Sequence, residues 1–132
     1  MTTVHATLKN FRQSPRKVRL VAGLVRGQTV ASAISRLQHQ PQKSVLPLIK
    51  LLRSATASAT HNYGLTEDSL KVKLISVDEA VTYKRIRPAA RGSAHPIRKT
   101  GSTIRLVLTS PEEAKLYEVG KVAAVAPVVT TE

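Results

Sequence analysis

Two stretches that read as β-strands, "LKVKLISV" from Leu70 and "TIRLVL" from Thr103, are separated by a segment unsuited to their core. That segment, "TYKRIRPAARGSAHPIRKTGS" from Thr82 to Ser102, carries six Lys/Arg, two prolines and two glycines, and no acidic residue. Its large apolar side chains are few, Ile86 and Ile97 beside Tyr83, so folding it against a globule would bury charge with little compensation. A hairpin from Glu79 to Thr103 has about 12 residues per side and reaches roughly 35–40 Å at ~3.3 Å per residue. A globule of ~110 residues has a radius of gyration of only ~13 Å. The strands must pair and let the arm project, and a projecting arm of this composition needs a polyanionic host. The competing reading is a disordered, solvated loop.

The rest of the chain extends the same charge pattern. Its 132 residues suffice for one modest core, built on Val, Leu, Ile and Ala because Phe and Tyr are scarce and Trp is absent. Lys and Arg number 21 against eight Asp and Glu, a net charge of +13. Residues 1–66 hold ten cations and no acid, and residues 80–111 hold seven and again no acid. Surfaces tuned only for solubility mix signs, so segregation on this scale points to nucleic acid.

Catalytic and metal-binding classes find little support. The chain has no cysteine, which excludes disulfides and thiolate sites and leaves the redox compartment undetermined. His5, His39, His61 and His95 fall on separate elements without ligand spacing, so no metal and no cofactor are expected. No G-x-S-x-G or phosphate-loop motif is present. Asp78 and Glu79 are neighbours on a strand and would face opposite ways, so they do not form a catalytic pair; Asp78 reads as a turn or salt-bridge residue. An enzyme is not expected. The N-terminus has no apolar or Arg/Ser-rich leader, and no apolar run approaches the ~20 residues of a membrane span. The expectation is a cytosolic protein, or one made inside an organelle, with no membrane partner.

Patterning predicts the elements. Val4, Ala6 and Leu8 alternate in a strand over residues 3–9. "SPRKVRLVAGLVRG" sets Ser14 as N-cap, Pro15 at the first helical position and Gly27 at the end. Val18, Val21, Ala22 and Val25 form its apolar face, with Arg16, Arg19 and Arg26 on the opposite arc. That arc is either a solvated basic face or a phosphate-contacting one, and the missing acids favour phosphate. Thr29 caps a second helix with Val30, Ala33, Ile34 and Leu37 at helical spacing. A third runs from Pro41 or Ser44 to Asn62 and ends at Gly64. The later start is favoured because it places Pro47 in the first turn. Its small-residue half, "SATASAT", suits close helix–sheet packing better than RNA contact. Leu70, Val72 and Leu74 alternate with Lys71 and Lys73 in a half-buried strand, with Thr103–Leu108 as antiparallel partner. "SPEE" from Ser110 is a capping box for a short helix ending by Gly120, and the remaining tail has no periodic face.

The first two helices could pass for a helix-turn-helix-like DNA-binding protein, in which the second helix reads base edges. Here the cations lie on the first helix and the second carries one Arg. That order is the wrong way round, and the reading stands as the alternative.

Five motifs occur in order: "SPRKVRLVAGLVRG", the V-x-x-A-I-x-x-L of the second helix, "SATASATHNYG", "VDEA" and "YKRIRPAARGSAHPIRK". Together they resemble the bacterial-type large-subunit ribosomal protein family L-twenty-two, over Val4 to Leu108. The resemblance implies an α+β fold: a three-stranded antiparallel sheet packed by three helices, with a long protruding β-hairpin. Residues 1–110 would be one globular unit with 79–103 as its arm, and 111–132 a short helix and tail. In the family the globular part sits near the exit of the nascent-peptide tunnel, and the hairpin threads ribosomal RNA to place its tip in the tunnel wall. Implied partners are large-subunit ribosomal RNA, neighbouring large-subunit proteins and the nascent peptide, with no homo-oligomer.

The family's basic positions fall on Arg16, Lys17, Arg19 and Arg26 of the first helix and on Lys84, Arg85, Arg91 and Lys99 of the arm. The basic segments themselves add Arg12, Arg87, Arg98 and Arg105 as RNA-binding candidates. The expected tip is Pro88, Ala89, Ala90, Arg91 and Gly92. Four positions depart from the family pattern: Ala80 stands where a glycine is usual, Ala89 and Ser93 where arginines are usual, and Thr103 where a histidine is common. Phosphate contacts at Ala89 and Ser93 therefore do not carry over.

Overall fold

A computed structural model of the chain describes residues 2–110. The expected helix after Ser110 and the tail lie outside the described residues. Strand β1, Thr2–Phe11, is followed by helices α1, Pro15–Val25, α2, Val30–Gln38, and α3, Val45–Tyr63. After a single 3-10 turn at Glu67–Ser69 come the long strands β2, Lys71–Pro88, and β3, Ala94–Ser110. The sheet is antiparallel in the order β1-β3-β2, so the last strand is its centre.

The helices form where their apolar stripes predict. Val18, Val21, Ala22 and Val25 of α1 are buried, as are Val30, Ala33 and Leu37 of α2. Helix α3 begins immediately after Ser44, which settles the choice of start: Pro47 sits in the first turn, where its missing N–H breaks no helical bond. It ends at Gly64 with φ 61°, the left-handed position that favours glycine. Ala55, Thr56 and Ala59 are buried within the "SATASAT" run, so those small residues serve packing. Helix α1 packs on β2 and β3, α3 on β1 and β3, and α2 joins the two helices. The shared core centres on Ile104, Leu106 and Leu108 of β3, all fully buried.

Strand β2 departs from simple alternation. Val72 is buried, but Leu74 is 51% exposed, and the inward positions that follow are Ile75 and Val77. The pairing register with β3 slips between Val72 and Leu74, leaving Lys73 as an extra residue. Such a bulge inverts which residues face the core.

A second slip, between Glu79 and Thr82, sets Ala80 and Val81 against Gly101. There a Cβ on Gly101 would lie 3.2 Å from the Val81 carbonyl oxygen and 3.4 Å from that of Phe11. The backbones close in because residue 101 has no side chain.

Beyond this point the same two strands leave the globule. The arm is therefore an extension of the core strands, and it pairs regularly from Thr82↔Thr100 to Pro88↔Ala94. Those seven residues a side span about 23 Å. This is shorter than the 35–40 Å expected from Glu79, because Gly101 and Ser102 are still buried in the globular part.

Candidate nucleic-acid interface

The arm is charged on both faces. Across the antiparallel pair Tyr83 faces Lys99, Arg85 faces Ile97 and Arg87 faces His95; on the other side Lys84 faces Arg98 and Ile86 faces Pro96. Paired residues share a face and successive residues alternate. One face thus bears Arg85, Arg87 and Lys99, the other Lys84 and Arg98, and every residue from Tyr83 to Pro88 is exposed. Lys84 opposite Arg98 is a like-charge pair that costs stability in an isolated hairpin.

The turn spans Ala89–Ser93, one residue later than expected, and Pro88 belongs to the strand. Arg91, at the apex, has the left-handed φ of 59° that few non-glycine residues adopt. The Ala89 N–H donates to Ser93 O at 2.8 Å, and the Ser93 hydroxyl donates to Ala90 O at 2.7 Å. Ser93, where the resemblance anticipates arginine, closes the turn instead.

At the arm's root three remote segments meet. The loop after β1 brings Arg12, the first turn of α1 brings Lys17, and the approach to α3 brings Lys43. With Arg85, Arg98 and Lys99 of the arm they line a cleft of about 650 Å³ that no carboxylate lines. Tyr83 forms part of the wall; the Arg12 guanidinium carbon lies 5.3 Å from its ring centre and that of Arg85 6.0 Å. Like charges at such density repel one another, and a polyanion relieves that repulsion.

The remaining candidates divide. Arg16 is exposed in the first turn of α1, next to Lys17 in the chain, and does not line the cleft. Arg19 and Arg26 instead reach the open edge of β2. Arg19 donates from Nε and Nη2 to the Val77 carbonyl at 3.0 and 2.9 Å, and Arg26 Nη2 donates to Ile75 O at 3.1 Å. Arg105, on the sheet face away from the helices, lies 3.8 Å from Asp78, an exposed and weak pairing. This agrees with reading Asp78 as a salt-bridge residue. Lys43 and Tyr83 escaped the sequence reading. Nothing local marks Lys43, whereas Tyr83 stands among cations, a pattern typical of stacking platforms.

Among the described residues no cluster of metal-ligating side chains occurs, and no helix is long and apolar enough to cross a membrane. Helix α2, the would-be reading helix of the DNA-binding alternative, exposes Ala31, Ser35, Arg36, Gln38 and thus one cation. The geometry gives that alternative no support.

Residues 6–109 match the family model described as ribosomal protein L22p/L17e. A protein of Desulfitobacterium hafniense called large ribosomal subunit protein uL22 is 45% identical over 113 residues, covering 86% of this chain and 99% of the relative. The protein of the same name from Herpetosiphon aurantiacus is 44% identical over 107 residues, 81% of this chain and 95% of the relative. That from Pediococcus pentosaceus is 40% identical over 113 residues, 86% and 96% of the two chains.

Proposed function

The chain belongs to the ribosomal protein L22p/L17e family, and from that premise we propose that it is a structural constituent of the large ribosomal subunit. It binds large-subunit ribosomal RNA with the arm, the root cleft and the start of α1, and it catalyses nothing. Its globular part sits near the exit of the nascent-peptide tunnel beside other large-subunit proteins. The apex around Ala89–Ser93 forms part of the tunnel wall and meets the nascent peptide. The assembled particle is cytoplasmic.

One observation carries this reading: a two-stranded arm with six cations and no acid, exposed on both faces. A hairpin that lay on a surface would need cations on one face only. One that RNA surrounds needs them on both, because phosphates approach from each side.

Site-specific crosslinking tests the placement. A photoreactive residue at Ala90, in subunits carrying a stalled nascent chain, should crosslink to that chain; one at Ser35 on α2 should not. Crosslinks from Ser35 but not from Ala90 would reverse the proposed orientation.

A further inference from the structure

We propose that the cleft at the arm's root receives one unpaired nucleotide of the RNA, its base stacked on Tyr83 and its flanking phosphates held by Arg12, Lys17, Lys43 and Lys99. The inference rests on the RNA-binding reading above and adds to it a site and a mode of contact.

Cations alone would suit any stretch of RNA backbone. What distinguishes this cleft is an aromatic ring in its wall. Tyr83 lines the cleft and is 40% exposed, so it is open to a ligand. The cleft volume of about 650 Å³ falls within the ~300–1,000 Å³ usual for small-ligand sites, enough for a single base but not for a duplex.

In the free protein the ring is near two guanidinium groups, at 5.3 and 6.0 Å. An exposed cation–π contact contributes only ~0.5–1 kcal/mol. Base–aromatic stacking contributes ~1–3 kcal/mol per base. An incoming base therefore displaces or joins Arg12 at the ring, and the freed guanidinium has a phosphate to meet. The cations come from both parts of the molecule, Arg12, Lys17 and Lys43 on the globular side and Lys99 on the arm. Occupying the cleft thus ties the arm's root to the body.

The chain has no Trp, so Tyr83→Trp supplies a single reporter in the full-length protein. The probes are a single-stranded hexa-adenylate and an abasic ribose-phosphate strand of equal length. Hexa-adenylate should quench the tryptophan and the abasic strand should not. Tyr83→Leu should weaken hexa-adenylate binding about 10-fold or more and leave the abasic strand unaffected, while Tyr83→Phe retains both affinities.

Equal affinity of wild type and Tyr83→Leu for hexa-adenylate would overturn the stacking site. The proposed function would stand if the same protein still bound ribosomal RNA in a salt-sensitive way, and would fall with the site if it did not.

Discussion

Single residues in this protein show how little room the fold leaves where backbones cross. At Gly101 an alanine gains about 0.4–1 kcal/mol by restricting the unfolded chain. Its Cβ, 3.2 Å from the Val81 carbonyl, imposes strain of about 1–3 kcal/mol, because backbone and not a flexible side chain must yield. Strain wins: Gly101→Ala should lower the stability measured by urea unfolding, and Gly101→Val should lower it further. A more stable alanine variant would mean that the strands part there at no cost.

Arg19 of α1 and Arg26, the residue that caps its C-terminus, make the second case. Arg19 and Arg26 satisfy the carbonyls of Val77 and Ile75 at the edge of β2. Both side chains are largely exposed, so the bonds contribute less than buried charge-assisted ones, about 1–2 kcal/mol together. The double variant Arg19→Ala/Arg26→Ala should be destabilised by that amount while its RNA affinity changes little. Arg16→Ala/Lys17→Ala should do the reverse. Equal loss of RNA affinity in the two variants would return Arg19 and Arg26 to the interface.

At the scale of elements, most of the fold was legible because its signals are local. Ser14-Pro15, the Val18/Val21/Ala22/Val25 stripe and Gly64 each state a helix boundary or face in neighbouring residues. The bulge at Lys73 was not legible. Leu70, Val72 and Leu74 alternate without interruption, and the inversion to Ile75 and Val77 depends on pairing with β3, more than 30 residues away. The root cleft was hidden for a related reason: Arg12, Lys17, Lys43 and Lys99 meet only once topology has folded the chain. The arm was visible because its composition excluded it from any core.

The same composition governs how the arm behaves before assembly. Two-stranded hairpins are marginal in water, and this one adds a Lys84–Arg98 repulsion without a packed face to offset it. Amide hydrogens of residues 83–99 should exchange nearly unprotected in the free protein, and those of β3 from Ile104 to Leu108 slowly. Within the subunit both sets should be protected. Strong protection of the arm in isolation would mean that the hairpin carries its own stability.

For the molecule as a whole, the prediction is a division of labour: the body should fold without the arm, and the arm should add affinity for RNA. The core residues of all three strands and helices lie outside residues 83–99. Thr82 and Thr100 face each other across the pair, so an Asn-Gly turn can join them after excision. Loop length itself matters little, ~0.6 kcal/mol per doubling. The shortened chain should keep its far-ultraviolet circular dichroism and unfold cooperatively. It lacks six cations: Lys84, Arg85, Arg87, Arg91, Arg98 and Lys99. Each phosphate neutralised adds about 0.7–0.9 to the slope of log affinity against log salt. If all six meet phosphates, the full chain's slope for ribosomal RNA should exceed that of the shortened chain by about 4 to 5. The shortened chain should retain a smaller slope from Arg12, Arg16, Lys17 and Lys43. Identical slopes would show that the arm's cations remain in solvent and that the body alone makes the electrostatic contacts.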